Sequence, residues 1–562
     1  MRLAALLLAL VAAPALAQPL ALPSGPPYVL TNATIYTVDA DAPTAEALAV
    51  DASGALVAVG AEADLLAAYP DWPRADAAGR TVIPGLIDAH AHLMGLGEAL
   101  LQADLVGTDS REAVVERLRQ FAATLPPTAW ITGRGWDQND WEAQADGSHP
   151  FPTRADLDAA FPDRPVALGR IDGHALWVNS AALRAAGLDP DAAAPADPEG
   201  GQILRDADGR PTGVLVDAAE TLVTSAIPAA TDEVLAEALN RATAETARYG
   251  LTGVHEAGIP ISHLALYERA IAEGRFPLRN YAMLSMDQLD AFCAQYPEGY
   301  AGTDRLRVQS LKVYADGALG SRGAALLEPY SDDEHNHGLL IQSPEALAEV
   351  VESAMDCGLQ VNTHAIGDRG NRVVLDAYER AMEVTDGGAG RHRIEHAQVV
   401  TLEDIERIAR LGVIASVQPT HATSDMPWAE TRVGPERIKG AYAWRRIVDA
   451  GARLALGSDF PVERVSPLLG FHAAVTRQDA EMRPAGGWYG NQVLTREEAL
   501  RGFTLDAAYA GFMEDEVGSL EVGKRADFVI LSQNLMRVPP EQILATEVLA
   551  TVVDGEAVYT AE

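Results

Sequence analysis

Short apolar runs alternate with segments of helical period through the middle of the chain, between about residues 84 and 507. Runs such as 359–363 and 413–418 end at polar residues and predict short buried strands. Between them, segments such as 371–384 repeat their apolar residues at the spacing of an amphipathic helix. Alternating strands and helices over this length favour a parallel sheet, closed into a (β/α)8 TIM-like barrel. The predicted fold class is therefore α/β.

The two ends of the chain carry a different pattern, in which apolar and polar residues alternate around tight turns. Residues 28–58 alternate in this way, and so do residues 526–531 and 548–559 near the other end. Single alternation of this kind is typical of strands with one buried face. The Asp554-Gly555 pair between two apolar runs is a strong signal for a β-hairpin turn.

These patterns divide the chain into a barrel and a smaller domain built from both ends. Residues 18–83 and 508–562 are predicted to form one composite β-sandwich domain. Residues 84–507 are predicted to form the barrel. A less regular stretch at about 101–250, rich in Trp, Pro and Gly, is interpreted as an insertion into the barrel.

Residues 1–17 have the composition of a secretory signal peptide. Arg2 gives a basic start, an apolar run follows over residues 3–13, and Ala15-Leu16-Ala17 supplies the small-residue cleavage pattern before Gln18. An uncleaved membrane anchor is the alternative, but the apolar run is shorter than the roughly 20 residues that span a bilayer. The sequence thus predicts an exported protein, periplasmic or extracellular, without stable membrane association.

Acidic residues outnumber basic ones by 80 to 43, which gives a formal net charge of −37. A field of this sign repels nucleic acid, so nucleic-acid binding is excluded as a function. The two cysteines, Cys293 and Cys357, lack CxxC spacing. They form either one disulfide in an oxidising compartment or two isolated buried thiols. Association into a homo-oligomer is left open.

Histidines and one aspartate stand where predicted strands end. His90 and His92 follow the first of these strands, and residues i and i+2 of an extended strand point to the same side. His364, His396 and Asp459 follow three later apolar runs. The C-terminal ends of strands are where TIM-barrel active sites are assembled. A single histidine there is more often a core or surface side chain, but the array as a whole predicts a metal site.

The ligand types narrow the choice of metal. Imidazole and carboxylate groups without cysteine suit Zn²⁺ first, with Mn²⁺, Fe²⁺ or Co²⁺ as alternatives. A hydrolytic metal of this kind lowers the pKa of its bound water, so that hydroxide is available near neutral pH. The array therefore predicts a hydrolase acting on a small-molecule substrate.

Lys312 stands where a bare ammonium group would be costly. Alternation through residues 308–314 places Lys312 on the same face as Ser310 and Tyr314, toward the barrel core. A cation in that position needs a partner. One interpretation is a snorkelling lysine or one paired with Asp316. The other is a lysine carboxylated by carbon dioxide, whose new carboxylate bridges two metal ions.

Six segments together resemble the amidohydrolase superfamily, and within it the YtcJ-like proteins of amidohydrolase family 3. In chain order they are residues 82–92, 310–322, 363–368, 393–397, 457–462 and 518–527. The resemblance extends over almost everything after residue 17. It implies a distorted (β/α)8 barrel with a small composite β-sandwich.

The resemblance also implies a ligand set for two divalent metal ions, Zn²⁺ by default. The implied ligands are His90, His92, His364, His396 and Asp459, with carboxylated Lys312 as the bridge. All six positions match the family pattern.

Five further residues are candidates for substrate binding. His174 and Trp136 lie in segments that resemble family segments of the insertion, although core packing explains Trp136 equally well. His255 and His421 follow predicted strands, where each could donate a hydrogen bond to a developing oxyanion or serve as a satisfied supporting group. Arg322 could bind a substrate carboxylate bidentately, or be paired or solvated on its loop.

Cleavage of a non-peptide C–N bond is the reaction that the resemblance implies, in an amide, formamide, carbamate or cyclic amide. In this mechanism metal-activated hydroxide attacks the carbonyl carbon, and Asp459 passes the hydroxide proton to the leaving nitrogen. Asp459 and Lys312 are the predicted catalytic residues. The alternatives are ester, lactone or phosphotriester hydrolysis, or deamination of a heterocycle, on the same site. A non-catalytic metal-binding extracellular protein is a further alternative, which Asp459 disfavours.

Overall fold

A computed structural model describes most of the chain. The described residues are 22–144, 148–171, 175–198, 201–385 and 390–561. The predicted signal peptide, residues 1–17, lies outside them, and so does His174.

Two compact units make up the chain. The first comprises residues 1–91, 244–264 and 276–562, and the second comprises residues 92–243 and 265–275. The second unit overlaps the stretch at about 101–250, whose interpretation as an insertion into the barrel stays a prediction.

The N-terminal part of the first unit consists mainly of short strands. They are β1 (Tyr28–Thr31), β2 (Thr34–Tyr36), β3 (Thr44–Ala45), β4 (Ala47–Val50), β5 (Leu56–Gly60), β6 (Arg74–Asp76), β7 (Thr81–Pro84) and β8 (Leu86–Ala91), with helix α1 (Glu62–Ala68) between β5 and β6.

The second unit is built on one six-stranded sheet in the order β13-β14-β12-β11-β10-β9. Its strands are β9 (Ala103–Asp104), β10 (Ile131–Trp136), β11 (Val166–Arg170), β12 (Ala175–Val178), β13 (Gly201–Arg205) and β14 (Pro211–Asp217). The helices of this part of the chain are α2 (Leu93–Leu100), α3 (Arg111–Ala122), α4 (Arg154–Asp158), α5 (Ser180–Ala185), α6 (Thr221–Thr224), α7 (Asp232–Arg248) and α8 (Ser262–Ala272). Helices α7 and α8 cross the boundary between the two units.

Trp136 lies in the hydrophobic core of the second unit. Its side chain has no exposed surface and packs edge-on against Trp177, with ring centroids 5.8 Å apart. Its indole nitrogen donates a hydrogen bond to the carbonyl of Leu168 at 2.8 Å. This placement corrects the expectation that Trp136 lines the substrate pocket, because both its ring and its polar atom are used by the core. Core packing was the alternative interpretation of this residue.

Eight parallel strands form the nearly closed barrel of the first unit, in the order β8-β15-β16-β17-β18-β19-β20-β21. Those after β8 are β15 (Leu251–Ile259), β16 (Arg279–Ser285), β17 (Leu306–Tyr314), β18 (Gln360–Ala365), β19 (Arg393–His396), β20 (Ile414–Val417) and β21 (Leu454–Leu456). The helices that follow these strands are α9 (Leu289–Gln295), α10 (Pro344–Asp356), α11 (Asp368–Val384), α12 (Leu402–Leu411), α13 (Pro419–Asp425), α14 (Ala429–Arg437), α15 (Trp444–Asp449), α16 (Pro467–Thr476), α17 (Arg496–Gly502) and α18 (Leu505–Ala510).

One end of the barrel is filled by apolar side chains. Ile87 and Ile414 pack there with Ala508 of α18, and with Met513 and Val517 from the segment that follows it. Burial of apolar surface at this end stabilises the barrel at roughly 25 cal/mol per Å². The polar residues singled out in the sequence lie toward the C-terminal ends of the strands.

Both ends of the chain contribute to the two smaller sheets, as the sequence predicted. The last strands are β22 (Phe528–Leu531), β23 (Val548–Val553) and β24 (Glu556–Thr560). The sheets have the orders β5-β4-β1-β6 and β24-β23-β22-β7-β2-β3. Their facing side chains share one buried cluster, in which Leu48 and Val82 meet Ile530 and Val552. The (β/α)8 barrel with a composite β-sandwich is therefore confirmed.

The hairpin predicted at Asp554-Gly555 is also present, between β23 and β24. Both residues have positive φ, +50 and +76, which is the requirement of a type I′ turn.

Cys293 of α9 and Cys357, directly after α10, form a disulfide. This settles the alternative left open by the sequence in favour of the bonded pair. Within the described ranges, no helix is both long enough and apolar enough to cross a membrane.

Candidate metal centre

Three ligand-type side chains meet at the C-terminal end of the barrel. His90 is the penultimate residue of β8, His396 ends β19, and Asp459 follows β21. Each offers one nitrogen or oxygen atom, and these atoms all lie within 4.8 Å of one another. All three residues are buried. Two imidazoles and a carboxylate at this spacing are a donor set that suits a divalent metal.

His364, at the end of β18, stands beside this group. Its ring centroid lies 4.6 Å from that of His396. Its Nε2 atom is buried without a hydrogen-bond partner among the described residues, the Asp316 Oδ1 atom being 3.8 Å away. A buried polar atom without a partner costs about 1–3 kcal/mol unless another group binds it. This nitrogen therefore fits the role of a metal ligand.

His92 follows β8 directly and is the first residue of the second unit. It is partly buried and immediately precedes α2. Its role as a ligand stays a prediction from the sequence.

The imidazoles of the centre are held neutral. Burial, the main cause, and the charge of Lys312, the second, lower the pKa of His90 to about 4 and that of His364 to about 3. Burial, and after it the electrostatic effect of the neighbouring His364, also holds the pKa of His396 well below its usual value. A neutral imidazole keeps the lone pair that binds a metal. Near pH 7 the three rings are therefore ready to act as ligands.

Lys312 points into the barrel from β17 and is fully buried. Its Nζ atom lies 3.1 Å from Nε2 of His90, and burial lowers the pKa of the lysine to about 8. Asp316 does not pair with it, since the Asp316 carboxylate accepts hydrogen bonds from the backbone nitrogens of Ile366, Gly367 and Ala325. The structure thus disfavours the Lys312–Asp316 ion pair and places the lysine against a candidate ligand.

The backbone around Asp459 fixes the position of its carboxylate. Asp459 has φ +63, and its N–H donates to the carbonyl of His90 at 2.8 Å, which ties β8 to the segment after β21. Ser458 donates to both oxygens of Asp88, from N at 3.0 Å and from Oγ at 2.6 Å. A Cβ at Gly457 would lie 2.6 Å from an Asp88 oxygen, so only glycine allows this close approach.

Two functional residues, Arg393 and Glu395, were not singled out from the sequence. The His90 Nδ1–H donates a short hydrogen bond to Glu395, because an ionised carboxylate can only accept. Arg393 donates to both oxygens of Glu395, from Nε at 2.7 Å and from Nη2 at 3.0 Å. Burial alone would raise the pKa of Glu395, but Arg393 and His90 hold it well below its usual range. Glu395 therefore fixes the His90 tautomer that leaves Nε2 available to a metal.

A signal for this pair was present in the sequence. Arg393 and Glu395 are two residues apart on β19, so alternation sends both into the barrel. His396 would then face away, but its φ of +75 breaks the alternation. His396 joins the cluster for that reason, and its Nδ1–H donates to Oε1 of Gln418 at 2.8 Å.

Replacing Glu395 by glutamine is expected to weaken zinc affinity about 10–100-fold, the usual cost of changing a group that orients a ligand. The amide keeps the shape but loses the charge that holds the His90 Nδ1 proton. Competition of the protein with a zinc chelator measures the effect. Glu514→Gln is the matched control, since Glu514 also accepts two hydrogen bonds from an arginine, Arg391. Equal zinc affinity in both variants would contradict the assigned role.

His421 reaches the centre, whereas His255 does not. Nε2 of His421 lies 3.7 Å from Oδ2 of Asp459, and its ring stacks on that of His396 with centroids 5.8 Å apart. His255 is fully buried, accepts from Nη1 of Arg393 at 2.8 Å, and turns Nε2 toward Gly511 after α18. The expectation that His255 binds substrate is therefore corrected to a supporting role beneath the site, its alternative interpretation.

Arg322 forms an ion pair with another residue of the protein. Its Nε and Nη2 atoms donate to the two carboxylate oxygens of Asp332, at 3.2 and 2.9 Å. Because the bidentate fork is used in this way, the expectation that it receives a substrate carboxylate is corrected to the alternative of a paired loop arginine. His174, the remaining substrate-binding candidate, lies outside the described residues.

Comparisons with known proteins agree with this geometry. A family model described as the amidohydrolase family matches residues 75–559. The YtcJ protein of Bacillus subtilis, which bears the name of an amidohydrolase, is 35% identical over 536 residues, covering 93% of this chain and 98% of its own. The N-substituted formamide deformylase of Arthrobacter pascens is 30% identical over 555 residues, covering 94% of this chain and 98% of its own.

The similarity extends from the sequence to the three-dimensional structure. An uncharacterized metal-dependent hydrolase from Pyrococcus furiosus superimposes with a TM-score of 0.76 at 30% identity, over 91% of this chain and 100% of that one. The resemblance inferred from the six sequence segments is thereby confirmed. This chain belongs to the amidohydrolase family.

Proposed function

We propose that this amidohydrolase-family enzyme cleaves a non-peptide C–N bond of a small molecule: an amide, formamide, carbamate or cyclic amide. The observation that carries the proposal is the buried group of His90, His396 and Asp459, with neutral imidazoles and their ligand atoms within 4.8 Å. The similarity to the formamide deformylase supports the bond type.

The residues present fit a divalent metal, with zinc as the first choice. The donors are nitrogen and oxygen without cysteine, and the orphaned Nε2 of His364 has room for a ligand bond. We propose His90, His92, His364, His396 and Asp459 as ligands of two such ions, with carboxylated Lys312 as their bridge. A metal bound there would supply Lewis acidity toward the carbonyl group and would lower the pKa of water.

The protein's own groups supply the proton transfers. Asp459 accepts the proton of the attacking water and passes it to the leaving nitrogen, which departs as an amine. His421, 3.7 Å from Asp459, stands where it can donate a hydrogen bond to the carbonyl oxygen. Glu395 keeps the His90 proton on Nδ1 and so maintains the ligand geometry through the reaction.

Matched pairs of substrates test the proposal. Zinc-reconstituted enzyme is offered N-alkylformamides and the corresponding formate esters, together with carbamates, cyclic imides, lactones, a phosphotriester and an aminated heterocycle. For at least one amide-type compound, we expect the kcat/KM of amine release to exceed the kcat/KM of alcohol release from the corresponding ester. Turnover of esters, phosphotriester or heterocycle alone would contradict the C–N assignment. Stoichiometric zinc binding without any turnover would favour a non-catalytic protein.

We also propose that the protein is exported. The signal-like composition of residues 1–17 supports this, and so does the disulfide between Cys293 and Cys357, because disulfides persist in oxidising compartments. The mature chain is expected to begin at Gln18 and to be found in the periplasmic or culture fraction. Intact-mass analysis before and after reduction checks both points. A cytoplasmic protein that retains Met1 would contradict export.

A further inference from the structure

Tyr314 is the last residue of β17 and lies next to the metal centre. It is two residues from Lys312, so both side chains leave the strand on the same side. The Lys312 Nζ atom lies 5.0 Å from the centroid of the Tyr314 ring. The ring centroid of His364 is 5.6 Å from that of Tyr314. Tyr314 therefore borders the site on the side of β17 and β18.

The Tyr314 hydroxyl lies close to a glycine of β15, two strands away in the barrel. A Cβ at Gly258 of β15 would lie 3.5 Å from this hydroxyl and 3.9 Å from Oγ of Ser285. Gly258 has φ +80, a conformation that other residues rarely adopt. Gly258 thus contributes no side chain of its own next to the hydroxyl, which the side chains of Lys312 and Ser285 also border.

The hydroxyl also has no hydrogen bond within the described part of the chain, in contrast to two other tyrosines of the barrel. The hydroxyl of Tyr281 donates to Oε1 of Gln360 at 2.9 Å. The hydroxyl of Tyr378, on α11, lies within hydrogen-bond distance of two backbone carbonyls, those of Val361 at 3.0 Å and Arg393 at 2.8 Å. The hydroxyls of Tyr281 on β16 and of Tyr378 on α11 are thus satisfied within the protein, so the free one at the site points to a partner that comes from solution.

The aromatic rings of the site form a row with Tyr314 at one end. From Tyr314 the row passes through His364 and His396 to His421, with successive centroid distances of 5.6, 4.6 and 5.8 Å. The two candidate ligands occupy the middle, and a potential hydrogen-bond donor stands at each end. His421 is the donor next to Asp459. Tyr314 is the donor at the other end of the row.

We propose that the Tyr314 hydroxyl donates a hydrogen bond to the carbonyl oxygen of the substrate and stabilises the oxyanion formed when water attacks. This inference rests on the proposed function and identifies a catalytic residue for it. A phenol, with an ordinary pKa of about 10, is a donor at neutral pH, whereas the nearby Asp459 is an acceptor. Donors placed where negative charge develops are worth about 10²–10³ in kcat each.

Tyr314→Phe tests the proposal, because it removes the hydroxyl and keeps the ring beside His364 and Lys312. With the best carbonyl substrate of the panel, we expect kcat to fall about 100-fold or more, with KM changed little. Zinc content and melting temperature should match those of the wild type. Tyr281→Phe is the matched control, since it removes a barrel hydroxyl away from the site and should lower stability without lowering kcat.

Binding of a tetrahedral analogue, an N-alkyl phosphonamidate, gives a readout that does not depend on turnover. Calorimetric titration of zinc-loaded protein should show affinity reduced about 100-fold by Tyr314→Phe, and unchanged by Tyr281→Phe. A Tyr314→Phe enzyme with kcat within a few fold of wild type would overturn the proposal, as would loss of zinc in that variant. Failure of the wild type to bind the analogue would overturn it as well. Turnover of esters only would reject the C–N assignment, yet the hydroxyl would still be tested on the ester carbonyl.

Discussion

Asp459→Asn is expected to lower kcat by at least about 100-fold, the lower bound for loss of a general acid–base group. An asparagine amide cannot take the proton of the attacking water, and the change removes an anionic donor from the cluster with His90 and His396. The backbone should tolerate the substitution, because asparagine readily adopts the left-handed region in which Asp459 lies, with φ +63. The measurement is kcat at matched zinc content, together with the melting temperature.

Asp554→Asn is the control for this backbone conformation. Asp554 also has a positive φ, +50, and accepts a hydrogen bond from Nη2 of Arg279 at 2.7 Å, in the β-sandwich domain. We expect this variant to lose some stability and to keep its kcat. A rate close to wild type in fully metal-loaded Asp459→Asn would reject the proton-transfer role.

Much of the fold and part of the centre could be predicted because they depend on local patterns. Alternation along strands placed Lys312 inside the barrel, and the ends of apolar runs marked His364 and His396. In a parallel barrel all strand ends open on the same side, so residues far apart in the chain meet there. The Asp554-Gly555 turn was predictable for a similar reason, since only a few residue pairs satisfy two positive φ angles.

The remaining features depend on partners that no local pattern reveals. Alternation on β19 shows that Glu395 faces the barrel interior, but it does not show that its partner there is His90, 305 positions away. Arg322 had the chemistry to bind a substrate, but its pairing with Asp332 depends on the course of a loop. Trp136 illustrates the same limit, because the sequence alone does not distinguish a tryptophan that packs in a core from one that lines a pocket.

Lys312→Ala is expected to lose both bound zinc and activity, because we propose that Lys312 is carboxylated and bridges two ions. An unmodified ammonium group has no lone pair for a metal and would repel divalent cations. The lysine is fully buried 3.1 Å from Nε2 of His90, and burial lowers its pKa to about 8. At or above that pH a large fraction is neutral amine, which forms an N–C bond to carbon dioxide and releases a proton. The resulting carbamate is anionic and has two oxygens for two ions.

Chemical rescue distinguishes a missing bridge from a damaged fold. Acetate or propionate should partly restore zinc and activity to Lys312→Ala by occupying the vacated position. Neither should rescue Lys312→Arg, because the guanidinium fills that position and stays charged. Lys439→Ala is the control, since Lys439 is a surface lysine paired with Glu436 and should keep zinc and rate unchanged.

Carbon-13 bicarbonate provides the direct measurement of the modification. The wild-type enzyme should show a carbamate carbon signal that is absent from Lys312→Arg, and enzyme prepared without carbon dioxide should bind less zinc. The dependence on carbon dioxide follows from the burial of Lys312, because the low dielectric that depresses its pKa also makes the unmodified cation costly beside three candidate ligands. High-resolution density for an unmodified amine at Lys312 in active, zinc-loaded enzyme would contradict the bridge.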